Sequence, residues 1–181
     1  MRIIAGRWRG VRLATVGKGD PGAHLRPTPD RVRESMFSML THRDVIEGAK
    51  VLDLFAGTGA LGFEALSRGA AQATFVENGR VGQTLIAENI KKLDAGAQAR
   101  LLRMDATRPG ASDRGPFDLV FLDPPYGKGM GTKALLAIRP WCTGDALIIW
   151  EEDAPMDAPA GYALLDHRRY GSTHVTLLEV A

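Results

Sequence analysis

The residues with the clearest potential for chemistry stand at positions 123–126, which read Asp-Pro-Pro-Tyr. They follow the apolar run 117–122, which is typical of a buried strand. Consecutive prolines keep the preceding residues extended and leave carbonyl oxygens available as acceptors. The Asp123 carboxylate and the Pro124 carbonyl can then accept both hydrogens of a planar NH₂ group, while Tyr126 stacks on the attached ring. Beside the simpler reading, a proline stop after a strand, this pattern predicts a site that supports an amine while its nitrogen attacks an electrophile.

A glycine-rich turn follows an earlier apolar run. Residues 57–62 read Gly-Thr-Gly-Ala-Leu-Gly, the GxGxxG pattern, directly after a strand predicted over 51–55. Glycines at such a turn allow a tight bend and let the backbone approach a ligand at the start of a helix. The pattern alone is compatible with a nicotinamide dinucleotide, with S-adenosylmethionine, or with a turn that has only a structural role.

Acidic residues at three successive strand ends favour one of these readings. Asp53 precedes the glycines, where it would repel a pyrophosphate but attract an ammonium group. Glu77 ends the next strand, at the position where an acid accepts hydrogen bonds from a ribose diol. Asp105 ends the third strand and could accept from the amine of an adenine. These acids favour S-adenosylmethionine, a cationic and ribose-bearing methyl donor, over a dinucleotide.

The predicted cofactor site combines the glycine turn with these strand ends and their neighbours. No metal is predicted, because the four histidines lack the spacing of a metal site. The residues assigned to the cofactor are Asp53, Phe55, Ala56, Gly57, Gly59, Glu77, Asn78, Asp105, Ala106 and Asp123.

The elements that must position these residues alternate along the chain. Strands are predicted over 51–55, 74–77, 101–104, 117–122 and 146–150, and helices over 29–41, 61–68 and 79–93. Residues 162–166 and 174–180 are predicted to form a terminal antiparallel pair, and residues 2–13 a short hairpin. Alternating strands and helices predict an α/β fold with a mostly parallel sheet covered on both faces. Thr28 is predicted to cap the first helix, with Pro29 as its first residue.

Composition predicts one compact, soluble domain. The chain has 181 residues, a net charge of +2, a single cysteine and no apolar run long enough to span a membrane, so we expect a cytoplasmic protein. Residues 1–33 nevertheless carry eight basic and two acidic side chains, a net charge of +6, which leaves −4 for the remainder. A basic segment of this kind favours a polyanionic partner such as nucleic acid. The predicted RNA contacts are Arg7, Trp8, Arg9, Arg12, Arg26, Arg31, Arg33 and Lys128.

Residues 51–62 together with Asp123-Pro-Pro-Tyr126 resemble the class I methyltransferases that modify exocyclic amino or amide nitrogens. Two further segments narrow the resemblance: Arg2-Ile-Ile-Ala-Gly-Arg-Trp-Arg-Gly and the 26–37 segment, which begins Arg-Pro-Thr-Pro-Asp-Arg. Both are similar to the bacterial 16S ribosomal RNA guanine-N2 methyltransferases, and the likeness continues through the Tyr-Gly-Ser-Thr at 170–173. One departure is Asp123, where many guanine-N2 enzymes have Asn.

The resemblance implies a Rossmann-like sheet of seven strands in the order 3-2-1-4-5-7-6, with the last strand antiparallel. It implies a methyltransferase core over 48–181 and an RNA-contacting extension over 1–47. It further implies S-adenosylmethionine as donor, S-adenosylhomocysteine as product, and as acceptor a flipped guanine in 16S rRNA of the 30S subunit, with the protein acting as a monomer. Asp123, Pro124, Pro125 and Tyr126 would hold the base. Adenine N6, a protein glutamine, and an RNA-binding assembly factor with a vestigial cofactor pocket remain alternatives.

Overall fold

The chain folds around a seven-stranded sheet, seen in a computed structural model that describes residues 1–17, 27–111, 113 and 115–181. The strand order β3-β2-β1-β4-β5-β7-β6 confirms the order implied by the resemblance. Strands β1 to β5 are parallel, and β7 is antiparallel to both β5 and β6. The bounds are β1 Lys50–Leu54, β2 Gln72–Val76, β3 Ala99–Leu102, β4 Phe117–Leu122, β5 Cys142–Glu152, β6 Tyr162–Tyr170 and β7 Thr173–Val180.

Helices cover both faces of the sheet, as predicted. One apolar cluster joins the sheet to α1 (Asp30–His42), α2 (Ala60–Ser67) and α3 (Arg80–Lys92). A second cluster joins the opposite face to α4 (Met130–Ile138) and the short 3₁₀ helix Arg139–Trp141. Helix α4 was not predicted, because the glycines and lysines of 127–133 obscure the apolar spacing that its buried residues Ala134, Leu135 and Ile138 provide. No helix in the described part of the chain is long and apolar enough to cross a membrane.

Strand lengths differ from the sequence prediction where strands leave the core. Strand β5 begins at Cys142, four residues before the predicted start. The prediction missed these residues because 143–145 lack an apolar pattern and are at least partly exposed. Strand β3 lies two residues earlier than predicted, at 99–102. An apolar pattern detects the buried part of a strand, whereas backbone pairing continues beyond it.

Residues 1–14 form a compact antiparallel loop that packs on the core. Arg2 and Arg12 make an isolated antiparallel bridge, and the Ile3 N–H donates to the Val11 carbonyl at 2.9 Å. The predicted hairpin is therefore present only as a single bridge. Ile3 and Leu13 are buried in the core on the α2 side of the sheet, so this segment is attached to the body along its length.

A buried carboxylate on α2 fastens the N-terminal segment. Glu64 is fully buried, and its two oxygens accept the backbone N–H groups of Ile4 at 2.8 Å and Ala5 at 3.1 Å. Arg68 donates to the same carboxylate at 2.8 Å, and Arg33 lies 3.8 Å from it. The basic N-terminal segment is thus held in place by a buried acid on α2.

Candidate active site

A cavity of about 650 Å³ lies at the carboxyl ends of the parallel strands. It lies beside β1 and β4, where the strand order reverses and ligands bind in folds of this type. Most of the predicted cofactor and base residues line it together: Asp53, Phe55, Ala56, Gly57, Glu77, Asn78, Asp123, Pro124, Pro125 and Tyr126. Lys128, a predicted RNA contact, also lines it.

The glycine turn after β1 is shaped by two specific requirements. Gly59 has a φ of +79°, a left-handed conformation that favours glycine. A Cβ on Gly62 would lie 2.4 Å from the Phe75 ring, so only glycine lets α2 pack this closely on the sheet. Phe55 also has a positive φ, +57°, which places a strained residue at the mouth of the cavity.

Glu77 joins the two loops that border the cavity. Its carboxylate accepts the Gly57 N–H at 2.9 Å and the Gly79 N–H at 2.6 Å. These bonds fix the glycine turn relative to the end of β2. Because each carboxylate oxygen can accept more than one hydrogen bond, Glu77 keeps the capacity to bind hydroxyl groups of a ligand.

Asp53 is a buried acid beneath the turn. It is 2% exposed, and its carboxylate accepts the Gly62 N–H at 2.9 Å in the first turn of α2. Burial raises the pKa of Asp53 to about 8, against the lowering effect of that hydrogen bond. A cationic group in the cavity would favour its ionised form.

Three predicted cofactor residues lie outside this lining. Gly59 shapes the turn, while Asp105 and Ala106 are not among the residues that border the cavity. The Asp105 carboxylate instead accepts the backbone N–H and the hydroxyl of Thr107, at 2.8 and 2.7 Å. The position of Asp105 after β3 was predicted, but its carboxylate is engaged in a local turn.

A second cavity, of about 340 Å³, adjoins the first. Asp123 and Tyr126 line both cavities, as do Pro27 and Thr28. The other walls come from the start of α1, from the end of β5 and from the turn between β6 and β7. They include Arg31, Val32, Glu151 and residues 170–173. Parts of the 27–37 and 170–173 segments, which contribute to the family resemblance, therefore border the same cavity.

Asp123 sits in a cluster of acids. Leu122 on β4 pairs with Trp150 on β5. The residues that follow them, Asp123 and Glu151, therefore lie side by side. Burial raises the pKa of Asp123 well above its ordinary value, and the nearby carboxylates of Glu151, Asp53 and Glu152 add to the effect. Burial likewise raises the pKa of Glu151 to about 7, although Thr28 and Arg33 oppose the change. Groups of shifted pKa in a cleft are typical of functional sites.

Sequence reasoning missed Glu151 and misassigned Thr28. The available signal for Glu151 was its position at the end of the apolar run 146–150, the same kind of strand end that identified Glu77. Thr28 was predicted to cap α1, but Pro29 occupies the cap position and no side chain makes a capping bond. The Thr28 hydroxyl instead lies 3.2 and 3.1 Å from the two oxygens of Glu151.

The predicted RNA contacts divide into four groups, the last of which is the buried Arg33. Arg7, Arg9, Arg12, Arg31 and Lys128 are exposed, and Arg7 also donates a hydrogen bond to Gln98. Trp8 is half-buried against the core, with the Arg7 guanidinium 3.9 Å from the centre of its ring. Arg26 lies outside the described residues.

Arg33 requires a correction, because it is fully buried and cannot reach a phosphate in this structure. It donates to the Arg2 carbonyl and to Asp30, both at 2.7 Å. The density of arginine in this segment had suggested an RNA contact, but α1 turns this side chain toward Glu64. In the described part of the chain, no group of three or more histidine, cysteine, aspartate or glutamate residues could hold a metal ion.

The strand order, the glycine turn after β1 and the acids at the strand ends define a class I, Rossmann-like methyltransferase. Comparisons with known proteins agree. The family model described as Conserved hypothetical protein 95 matches residues 1–179. Ribosomal RNA small subunit methyltransferase D of Escherichia coli (strain K12) is 42% identical over 161 residues, which cover 88% of this chain and 78% of that protein. The chain belongs to the family that includes ribosomal RNA small subunit methyltransferase D.

Solved structures support the same fold. The Escherichia coli protein yhhF superimposes with a TM-score of 0.83 at 36% identity, covering 99% of this chain and 97% of that one. An RNA methyltransferase from Salinibacter ruber, in complex with S-adenosyl-L-homocysteine, has a TM-score of 0.67 at 17% identity and covers 86% of this chain and 94% of that one. The second likeness is one of fold.

Proposed function

We propose that this protein transfers a methyl group from S-adenosylmethionine to the exocyclic N2 amine of a guanine in 16S rRNA of the 30S subunit. The observation that carries the proposal is that Asp123 and Tyr126 line both cavities. A residue pair at such a junction can hold an acceptor on one side while the donor occupies the other. Membership in a family that includes ribosomal RNA small subunit methyltransferase D supports ribosomal RNA as the substrate.

The residues of the larger cavity fit S-adenosylmethionine. Its volume of about 650 Å³ lies within the usual range for small-molecule sites. The buried Asp53 suits a cationic group, and Glu77, at the end of β2, suits a ribose diol. A Cβ on Gly57 would meet no atom within 4 Å, so the backbone there is open to close approach. When bound, the cofactor supplies an electrophilic methyl group on a sulfonium.

The Asp-Pro-Pro-Tyr segment supplies the chemistry at the acceptor. Asp123 and the Pro124 carbonyl accept the amine hydrogens, and Tyr126 stacks on the base. A donor held beside Asp53 and Glu77 would supply the methyl group to this nitrogen, with the electron pair of the carbon–sulfur bond left on sulfur. The nitrogen then loses one proton, which can leave after the attack, so no base of shifted pKa is required. Rate would come mainly from alignment of the reacting atoms, with the positive charge on nitrogen stabilised as it develops.

The exposed arginines of the N-terminal segment support an RNA partner. Arg7, Arg9 and Arg12 project from a loop that Glu64 holds against the core, so a basic surface has a fixed position on the core. The target guanine must be unpaired or flipped, because its amine cannot reach a cavity from within a stack. We expect the protein to act as a monomer, and we place the reaction with ribosomal RNA in the cytoplasm.

A competition experiment tests the proposed substrate class. Purified protein and methyl-labelled S-adenosylmethionine are offered undermethylated 30S subunits and a release factor in one mixture. We expect label to enter 16S rRNA and the release factor to stay unlabelled. Label in the release factor would replace the proposal with glutamine methylation, and binding to subunits with no transfer would indicate an assembly factor.

A further inference from the structure

The second cavity contains a buried acid that the proposed chemistry does not use. Glu151 is 2% exposed, yet it borders this cavity beside Asp123. The Thr28 hydroxyl lies within hydrogen-bond distance of both carboxylate oxygens, 3.2 and 3.1 Å away, but it can give them only one proton. N–H donors of a ligand would favour the ionised form of Glu151, and an ionised carboxylate has about four acceptor positions. Glu151 therefore retains the capacity to accept further hydrogen bonds.

The positions of Asp123 and Glu151 suit a ligand with two adjacent N–H donors. The two acids lie side by side, because they follow the paired residues Leu122 and Trp150 on neighbouring strands. Guanine presents such a pair on one edge, the exocyclic N2 amine and the ring N1–H. Adenine has an acceptor at N1, and a glutamine side chain has an amide with no neighbouring ring donor. A carboxylate facing N1 would therefore favour guanine and oppose adenine.

The walls of the cavity are consistent with a nucleotide. Tyr126 offers a ring for stacking, and Tyr170 lies on the β6–β7 side. Arg31 is exposed where it borders the cavity and could meet the phosphate attached to a flipped base. One acid at the amine, a second acid beside it and a cation at the rim make up a guanosine site.

We infer that Glu151 determines the base specificity of the enzyme by accepting the N1–H of the target guanine, and that Thr28 is the positioning residue that orients its carboxylate. The inference rests on the proposed function, since it assigns a role within the same reaction. This role would explain why the start of α1, the end of β5 and the β6–β7 turn border one cavity.

The test compares two acceptor bases that share the N2 amine. Once the methylated nucleotide is mapped, a synthetic segment with guanine or 2-aminopurine at that position is ligated into 16S rRNA and assembled into 30S subunits. 2-Aminopurine keeps the N2 amine but has an acceptor at N1. We expect the unmodified protein to prefer guanine in kcat/KM by about tenfold or more, because a site built to hydrogen-bond a group rejects an analogue that lacks it.

Glu151→Gln then separates the N1 contact from other differences between the two bases. A glutamine amide can turn its NH₂ group toward N1 of 2-aminopurine, so the guanine preference should fall by about tenfold, the effect of one hydrogen bond to a charged group. Thr28→Val, which removes the hydroxyl but keeps the shape, should reduce the preference less. Glu152→Gln is the matched control, since Glu152 is a neighbouring buried acid outside the lining of either cavity, and it should leave the ratio unchanged.

The outcomes distinguish this inference from the proposed function. Transfer to guanine by the unmodified protein, with the same base ratio in the Glu151→Gln and Thr28→Val variants, would overturn the inference and leave the proposed function standing. Absence of transfer to either base by the unmodified protein would overturn the proposed function. Affinity for S-adenosylmethionine, measured by calorimetry, should be the same in all variants, and a loss in Glu151→Gln alone would assign the residue to the donor site and overturn the inference.

Discussion

The carboxylate of Glu77 accepts a hydrogen bond from the backbone N–H of Gly57 at 2.9 Å, across twenty residues of sequence. Its other oxygen accepts the Gly79 N–H at 2.6 Å. One side chain therefore sets the geometry of the glycine turn and borders the larger cavity. Binding of a ligand by Glu77 would therefore be coupled to the local backbone.

Glu77→Gln should weaken the binding of S-adenosylmethionine by about tenfold to a hundredfold, because the new NH₂ group would face a backbone N–H and one acceptor would be lost. Isothermal titration calorimetry measures the effect. The control is Glu88→Gln, which changes an exposed residue of α3, the helix that follows Gly79. This variant should bind S-adenosylmethionine normally. Equal affinities for both variants would mean that Glu77 takes no part in donor binding.

Glu64→Gln should lower the free energy of unfolding by about 3 kcal/mol, the scale for breaking a buried ion pair by removing one partner. The loss reflects the bonds from Ile4, Ala5 and Arg68 to this fully buried carboxylate. Urea denaturation compares it with Glu34→Gln, an exposed acid on α1. If the two variants are equally stable, the N-terminal loop is held by apolar packing alone.

The acids of the site should make the unliganded protein less stable as pH rises. Burial raises the pKa of Asp53 to about 8 and that of Glu151 to about 7, so folding favours their neutral forms. This contribution is complete below the unfolded pKa values near 4 and is lost as pH rises through the folded values. The free energy of unfolding should fall between about pH 5 and 8, by up to about 1.4 kcal/mol per pH unit for each group.

Asp53→Asn provides the comparison for this pH dependence. The variant lacks the group with a folded pKa of about 8, so its stability should change less steeply over the upper part of that range. Denaturant titrations at several pH values give both slopes. Parallel curves for the variant and the unmodified protein would show that Asp53 ionises normally in the fold.

Reversing Arg7, Arg9 and Arg12 to Glu should weaken binding to ribosomal RNA and reduce its dependence on salt, because fewer counterions are released. Filter binding over a series of salt concentrations measures both quantities. The control reverses three exposed cations elsewhere, Arg43, Lys92 and Lys133, and keeps the same change in net charge. A similar loss in both triple variants would assign the effect to overall charge instead of a defined surface.

Much of the fold could be predicted from sequence because its signals are local. Apolar runs located β1, β2 and β4, and the glycine spacing located the turn before α2. The helix α4 and the polar half of β5 were missed, since neither shows a continuous apolar pattern. The order of the strands came from the resemblance, as local periodicity carries no information about which strands pair.

Part of the site could also be predicted, because an acid at the end of a strand is a local sequence signal. Strand-end acids identified Asp53, Glu77 and Asp123, which the fold brings to one cavity. A sequence pattern does not give the direction of a side chain. Arg33 points into the core, and Asp105 accepts a hydrogen bond from Thr107. The contact between Thr28 and Glu151 joins residues far apart in sequence, and only the folded chain shows it.

The Asp123 side chain is central to the proposed methyl transfer, and two substitutions test its role as a hydrogen-bond acceptor. Asp123→Asn keeps an acceptor for the amine and should retain much of the transfer. Asp123→Ala removes the acceptor and should lower single-turnover transfer by about a hundredfold to a thousandfold, the scale for losing one group that stabilises developing charge. Donor affinity should persist in both.

The most direct measurement is the identity and amount of the labelled nucleoside after single-turnover reaction of undermethylated 30S subunits, digested and analysed by mass spectrometry. We expect N2-methylguanosine with the unmodified protein, and nearly none with Asp123→Ala at saturating S-adenosylmethionine. Normal transfer by Asp123→Ala, or label recovered in a different nucleoside, would contradict it.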